Sequence, residues 1–455
     1  MATVITESEK PASVVYRKAF IKRRNSTTGL FEDNWFEITE DVTRWGKIGV
    51  STTPERPGQF RFSALKLTVA NDEGSYNPSD DQASFWFGFL DMQRTLVKIE
   101  FGFINQSITN GIWTNELTPI ASFWDVDQWD NDLVWDGEDT HFIGIISGDP
   151  DLSDKNRIIL TVRPLTQLFK DYPARRIDSY TTTGLTASDF MDAIRDHTTG
   201  GANFVFRPFF GDTTSNWDIQ TTTANYGDLD TSTAKDVIDK TVWSVMEKLA
   251  QAERSVPYVD NNGVFKFKSL DPASETSAFL FGQGTFNTTF GNTIKEVIRY
   301  GPRMESFYSR VQIKFTDSDT STSYYVREAE MTIGSTAPWV FGYRTFDIEN
   351  FFIPDQSTAQ ALGDALFDDL GSLKKEITIK TSFLPHVKIL DRIEISYDSA
   401  DPNAESNWNE NDWNTELTWD DSKGDAIVLN AVPHTVLKVE IDLDRFENTF
   451  IAREI

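Results

Sequence analysis

One pattern occurs twice in this chain. Residues 124–136 read WDVDQWDNDLVWD, and residues 408–420 read WNENDWNTELTWD. Both copies space three tryptophans five and then six positions apart: Trp124, Trp129 and Trp135 in the first, Trp408, Trp413 and Trp419 in the second. Leu133 matches Leu417, and Asp136 matches Asp420. Six of the 13 tryptophans fall in these two windows, so chance is a poor explanation. The flanks correspond as well. VKIEFGF (97–103) and DRIEISY (391–397) precede the windows, and HFIGIISG (141–148) and HTVLKVEI (434–441) follow them. Each window reads as an insertion between two strands of a similar β-domain. The chain reads as a duplication, with one copy near each end. Two copies are too few for a stacked solenoid.

The Trp spacing fits neither a clean strand period nor a helical stripe. The main reading is a loop or hairpin whose indole rings lock onto the β-domain while its acids stay wet. Two chemical readings stand beside it. Asp125, Asp127 and Asp130 are close enough to suggest a calcium loop, but the glycine and closing glutamate of an EF-hand are missing. Trp faces also stack on pyranose rings, which would suit a sugar platform. The second copy carries Asn409, Asn411 and Asn414 where the first has those aspartates, which weakens both the metal and the catalytic readings.

Around the windows the chain reads as mainly β with an α+β middle. Phe60–Ala70, Leu96–Phe103, His141–Ser147 and Arg157–Val162 mix β-branched and aromatic residues with partial alternation, and turn signals such as Asn71-Asp72-Glu73-Gly74 separate them. Thr186–His197 reads as a short helix with Thr186 or Ser188 as its N-cap. Thr233–Glu253 reads as the longest helix, with Val237, Val242, Val245, Met246, Leu249 and Ala250 on one face. Val256–Lys268 reads as a hairpin around Asp260-Asn261-Asn262-Gly263. Strands return over about 293–333. A helix over Ser357–Leu373 follows, capped by Ser357 and ended by Gly371. Strands at Glu376–Ser382, Arg392–Tyr397, Val436–Asp442 and Thr449–Ile455 close the chain. The expected architecture is two similar β-barrel domains, residues 1–175 and 335–455, flanking a small α+β domain at 176–270 and a β-rich connecting domain at 271–334.

Composition excludes several function classes. The 70 acidic and 43 basic residues give a net charge of −27, which argues against a surface built to hold nucleic acid or anionic lipid. Without cysteine there can be no disulfide, thiolate metal site, iron–sulfur cluster or Cys nucleophile. The four histidines, His141, His197, His386 and His434, show no metal spacing. No phosphate loop, nucleophile elbow or HExxH motif occurs, and Gly282-Gln283-Gly284 lacks the later glycine of a dinucleotide motif. Carboxylate pairs carry no weight where 70 acids offer so many. No run of 18 apolar residues is present, and the first 20 residues do not read as a secretory signal. These residues single out no catalytic residue, metal site or cofactor site.

The order of features along the chain resembles one family. Phe36–Thr43 and Trp45 are followed by FRFSALKLTVANDEGSYNP (60–78), a strand running into an N-x-x-G-x-Y-x-P line carried by Leu67, Val69, Asn71, Gly74, Tyr76 and Pro78. Further on come Trp243, Leu249 and Ala250 on a helix, then Tyr258, Asp260, Gly263 and Phe265. Last is the helix at 357–373 with a strand, a loop holding Pro385, and Asp391, Ile393 and Ile395. This sequence is similar to the baseplate hub or tail-tip hub family of tailed bacteriophages and related gene-transfer particles.

The resemblance implies a non-enzymatic virion protein of the tail, assembled in the host cytoplasm. It implies a homotrimer in which three chains with two barrels each make a pseudo-sixfold ring. Its partners would be the tail tube or distal tail protein on one side and a tip, spike or fibre protein on the other. DNA would pass through without specific binding, and this chain would not insert into a membrane. The subtype with a Cys-bound iron–sulfur cluster is excluded. The other readings are a distal tail or receptor-binding component, and a carbohydrate-binding or glycan-degrading protein that uses the Trp/Asp windows.

Overall fold

The computed structural model describes residues 14–52, 60–71, 74–77, 84–86, 89, 95–104, 108–109, 112–113, 141–147, 151–154, 156–177, 186–199, 203–210, 216–222, 239–260, 263–269, 279–282, 293–302, 307–316, 322–328, 344–350, 352–353, 355–372, 374–385, 387–398 and 428–455. The first part supplies β1 (Val14–Lys22), β2 (Phe36–Glu37), β3 (Val42–Arg44), β4 (Lys47–Thr52), β5 (Phe60–Phe62), β6 (Leu65–Ala70), β7 (Leu96–Ile104), β8 (Ile108–Thr109), β9 (Ile112–Trp113), β10 (His141–Ile146), β11 (Asp151–Asp154) and β12 (Arg157–Pro164). The middle supplies α1 (Thr166–Asp171), α2 (Ala187–Asp196), β13 (Thr198–Thr199), β14 (Asn203–Phe204), α3 (Arg207–Phe210), β15 (Trp217–Ile219), α4 (Val242–Ala252), β16 (Ser255–Val259) and β17 (Phe265–Ser269). The last part supplies β18 (Phe279–Gly282), β19 (Ile294–Pro302), β20 (Arg310–Thr316), β21 (Thr322–Glu328), β22 (Thr345–Glu349), α5 (Gln356–Leu370), β23 (Lys375–Ser382), β24 (Arg392–Asp398), β25 (Val428–Asp442) and β26 (Glu447–Glu454).

Two large sheets dominate. The first runs β2-β1-β7-β10-β12-β6-β3, and the second β18-β24-β25-β26-β23-β19. Five consecutive strands of each follow one plan. In the first, β7-β10-β12-β6-β3 are joined by antiparallel pairs throughout. In the second, β24-β25-β26-β23-β19 repeat that order, again antiparallel throughout, with the strands in the same sequence along the chain. Period-2 alternation drives both. Leu65, Leu67 and Val69 of β6 and Ile158, Leu160 and Val162 of β12 are buried, as are Asn448, Phe450 and Ala452 of β26.

The architecture is mainly β with an α+β middle, as the sequence predicts. The two sheets are joined, however, where two separate barrels were expected. After β3 the chain leaves the first sheet, and β4 pairs antiparallel with β25 of the second, Lys47 opposite Asp442 and Ser51 opposite Lys438. One apolar core serves both, running from Ala19, Leu67 and Ile99 to Ile377, Ile395 and Phe450.

A second core gathers the smaller elements. The hairpin β16–β17 takes β15 as a parallel neighbour. The hairpin β20–β21 takes β22 parallel to β20, so this sheet runs across residue 334, where a domain boundary was expected. Phe190, Met246, Phe265, Ile313 and Leu362 share that core, so α2, α4 and α5 pack on the two small sheets together. Gly363 of α5 marks the closest approach: a Cβ there would stand 2.5 Å from the Tyr325 ring.

Helix starts follow their caps. The Thr186 side chain accepts the Asp189 N–H, and the Asp189 side chain accepts the Thr186 N–H, closing a capping box. The expected Thr233–Glu253 helix is shorter: α4 starts at Val242, while residues 233–238 lie outside the described residues. Residues on either side of Thr241 are held in extended contacts. Lys240 O accepts the Ala174 N–H, and the Val242 N–H donates to Tyr172 O. Thr241 then caps the helix through the Ser244 N–H. For α5 the cap is Asp355 instead of Ser357. Its carboxylate accepts both the Thr358 N–H and the Ser357 hydroxyl, each at 2.7 Å, as a charged acceptor does best at a helix start.

Candidate functional site

The N-x-x-G-x-Y line forms a locked loop at one end of the first sheet. Asn71, 4% exposed at the end of β6, accepts the Tyr76 N–H on its side-chain oxygen at 2.8 Å and donates to the Asn77 side chain at 3.1 Å. Its own N–H donates to Asn156 O, and its carbonyl accepts the Gly74 N–H. Gly74 sits at φ +75°, where a Cβ would also stand 2.5 Å from Asn77 Nδ2, so the turn calls for glycine. The Tyr76 hydroxyl donates to Asp41 at 2.5 Å. Burial, reinforced by that acceptor, pushes the Tyr76 phenol well above its ordinary range. Pro78 lies outside the described residues.

Arg23 fastens the far side of the loop. Its guanidinium makes a bidentate pair with Glu32, both bonds at 2.8 Å, and donates to Phe85 O. It also lies 3.9–4.3 Å from the ring centroids of Phe36, Phe85 and Phe89. These contacts position the loop.

The junction between the two sheets is a second built site. Asp444, in the turn between β25 and β26, accepts the Trp45 N–H at 3.0 Å and the Gly46 N–H at 3.2 Å. Arg17 of β1 reaches across, donates to Leu443 O and stands 3.8 Å from the Asp444 carboxylate. Its guanidinium lies 4.9 Å from both the Trp45 and the Phe446 ring centroids. Lys47 adds ion pairs to Glu440 at 3.0 Å and Asp442 at 3.4 Å, and these carboxylates raise its pKa. Sequence reasoning missed this junction, because no local pattern signals partners so far apart in the chain.

The other predicted residues are dispersed. Trp243 is buried in the second core, and its Nε1–H donates to Glu247 at 2.7 Å. Asp391 accepts the Lys388 N–H at 2.7 Å and closes the turn before β24. An apolar cavity of about 130 Å³ opens where both sheets meet the middle unit, with Phe101, Tyr258, Val387 and Val439 on its walls. Asp260 and Lys266 also line it, already paired with each other at 2.9 Å. Among the described residues no cluster of three or more His, Asp or Glu side chains could hold a metal ion, and no helix is long and apolar enough to cross a membrane.

Trp124, Trp129, Trp135, Trp408, Trp413 and Trp419 lie outside the described residues. The strands that flank them are described. The first window lies between β7 and β10, which pair antiparallel, and the second between β24 and β25, which also pair antiparallel. In the shared five-strand plan these are the same connection. The windows are also the most acidic stretches of the chain: residues 114–140 hold eight acidic and no basic residues, and residues 399–427 hold eight acidic and one basic.

No family model matches the sequence, and neither does any curated protein. Solved structures do match. The tail protein from Neisseria meningitidis MC58 is 10% identical and superimposes with a TM-score of 0.50 over 96% of each chain. This chain shares that tail protein's fold. Two further similar structures are the prophage MuSo2 43 kDa tail protein from Shewanella oneidensis and a prophage tail protein from Listeria monocytogenes EGD-e. The first is 11% identical, with a TM-score of 0.45 over 96% of this chain and 98% of that one. The second is 10% identical, with a TM-score of 0.43 over 96% of this chain and 94% of that one.

Proposed function

We propose that this protein is a structural, non-enzymatic component of a phage-type tail or baseplate, and that it acts there as a trimeric hub. The observation that carries the reading is the repeated five-strand plan, with the Trp windows at the same connection in both copies, in a fold shared end to end with a tail protein. A chain with two like sheets lets a threefold assembly offer six like faces to a sixfold tube. A tube or distal tail protein would meet the ring on one side, and a tip, spike or fibre protein on the other.

The Trp windows act in this reading as anchors, set against the sheets or a neighbouring subunit. DNA crosses the ring without being held. Carboxylates on the channel wall repel phosphates within a screening length of about 8 Å at physiological salt, whereas lysines and arginines would grip them. Negative-stain imaging of the purified protein tests the reading. A ring with a threefold axis, whose channel carries more Asp and Glu than Lys and Arg in a subsequent reconstruction, is the expected result. A monomer at assembly concentrations, or measurable glycan affinity through the windows, overturns it.

A further inference from the structure

Cations gather around the start of α4, in a chain whose net charge is −27. The segment after α1 lies against this start: the Ala174 N–H donates to Lys240 O, and the Val242 N–H donates to Tyr172 O. That pairing brings Arg175 and Arg176, both exposed, close to exposed Lys240. Lys170 of α1 lies 5.4 Å from the Trp243 ring centroid in the first turn of α4. Further along the helix Ser244 and Lys248, four positions apart, share one face. Among the described residues the side chains of Arg175, Arg176 and Lys240 form no ion pair and no hydrogen bond, so their charges stand uncompensated by close partners.

The same lysines border a pocket of about 310 Å³ between α4 and the end of β22. Lys240, Ser244 and Lys248 line one side, and Val245 and Phe352 give it an apolar wall. The opposite side is fixed by Asn350, which is fully buried. Its side chain donates to Lys248 O at 2.8 Å and accepts the Phe352 N–H at 3.1 Å. Glu349 also lines the pocket, but its carboxylate is already held by Lys314 at 2.6 Å. The Lys248 amine donates instead to the Glu349 carbonyl, a neutral oxygen, at 2.5 Å. Burial lowers the Lys248 pKa, with Lys240 adding to the effect and the Glu349 and Glu247 charges opposing it. An anion seated between the two lysines would relieve both the lost hydration and the repulsion.

We infer that this pocket receives an acidic peptide segment of a neighbouring tail protein, with one carboxylate between Lys240 and Lys248 and an adjoining apolar side chain against Val245 and Phe352. Ser244 supplies a hydroxyl donor to that carboxylate, and Arg175 and Arg176 attract further acids along the segment. A peptide suits the site better than a nucleic acid. The charge of −27 repels a long polyanion over its whole approach, whereas a short segment brings few charges. An apolar wall beside the lysines also serves a side chain and not a phosphate backbone. The inference rests on the tail reading for the source of the peptide, and not on the trimer.

The test uses the full-length chain and a fluorescein-labelled peptide of glutamates around one tryptophan, read by anisotropy at low and high salt. Binding is expected at low salt and its weakening at high salt. The same peptide with glutamine in place of glutamate is expected not to bind. Lys240→Gln and Lys248→Gln are each expected to weaken binding about tenfold, the worth of one charge-assisted hydrogen bond, and Lys240→Arg is expected to retain it. Lys66→Gln, which removes an exposed lysine of β6, is expected to change nothing. Absence of binding, or binding that neither pocket substitution weakens, overturns the site. A thymidine oligonucleotide that binds more tightly than the peptide, and loses affinity in Lys240→Gln, overturns the peptide assignment in favour of phosphate. A wild type that forms a threefold ring but binds no peptide overturns the site and leaves the hub reading standing. A monomer that binds the peptide through Lys240 supports the site while the hub reading falls.

Discussion

The Asp444 carboxylate accepts the Trp45 N–H at 3.0 Å, although 399 positions separate the two residues. That contact, with Gly46 and Arg17 beside it, makes the two sheets one body. Asp444→Ala strips the acceptor from two main-chain donors and the counter-charge from Arg17. The side chain is one-third exposed, so water recovers part of the loss, and a cost of about 1–2 kcal/mol is expected in urea unfolding. Arg17→Ala also removes stacking on Trp45 and Phe446. Because both substitutions act on one network, the double variant should fall short of their sum by about 0.5 kcal/mol or more. Strict additivity would show that the two residues act independently.

The locked loop gives a sharper contrast. Asn71→Ala leaves the Tyr76 N–H without its acceptor in a buried setting, which costs about 1–3 kcal/mol. Asn71→Asp keeps that acceptor but turns the Asn77 contact from donor to acceptor, so it should recover only part of the loss. Gly74→Ala must hold a side chain at φ +75° and against Asn77, and about 1 kcal/mol or more is expected. Thermal unfolding of the three variants checks the order. Wild-type stability in Asn71→Ala would mean that the loop contributes nothing to the fold.

Much of this architecture was legible in the residues themselves. Alternation marked β6 and β12, whose Leu67 and Leu160 are fully buried, and the Thr186 cap marked α2. The repeat points to flanking strands that do pair, β7 with β10 and β24 with β25. Three features stayed hidden, each for a physical reason. Strand β4 carries a glycine and partners residues of β25 far along the chain, and no local period reports such a pairing. The α4 start was set by main-chain contacts of Lys240 and Val242 with residues 172–174, which helix propensity does not contain. The Arg17–Asp444 junction was hidden because a lone Arg and a lone Asp usually read as solvated surface.

The Trp windows separate a structural from a glycan-binding role. Trp129→Ala and Trp413→Ala are expected to lower stability or trimer formation, by about 3–5 kcal/mol where a ring is fully buried. Glycan-array signal should be absent in the wild type and in both variants. Unchanged stability and assembly, together with a wild-type glycan signal lost on substitution, would reverse the assignment.

His434 sets a pH limit on the second sheet. The residue is fully buried on β25, opposite Ile393 of β24 and Glu454 of β26. Its Nδ1–H donates to Val432 O at 2.8 Å, while Nε2 has no hydrogen-bond partner. Burial lowers its pKa from the ordinary 6.5, outweighing the Val432 bond and the Glu454 charge that favour the proton. The folded form therefore holds a neutral ring over a range where the unfolded chain already binds a proton. Stability from this group is complete above pH 6.5 and falls as the pH drops below it, by up to about 1.4 kcal/mol per pH unit until the folded-state pKa is reached. Carboxylates with lowered pKa, such as Glu440 and Glu447, act only below their ordinary 4.5, so between pH 6.5 and 5 the difference between wild type and His434→Leu reports the histidine. Urea midpoints at pH 7.5, 6.5, 5.8 and 5.0 should decline in the wild type and decline less in His434→Leu. Parallel pH profiles for the two proteins would place the acid sensitivity elsewhere.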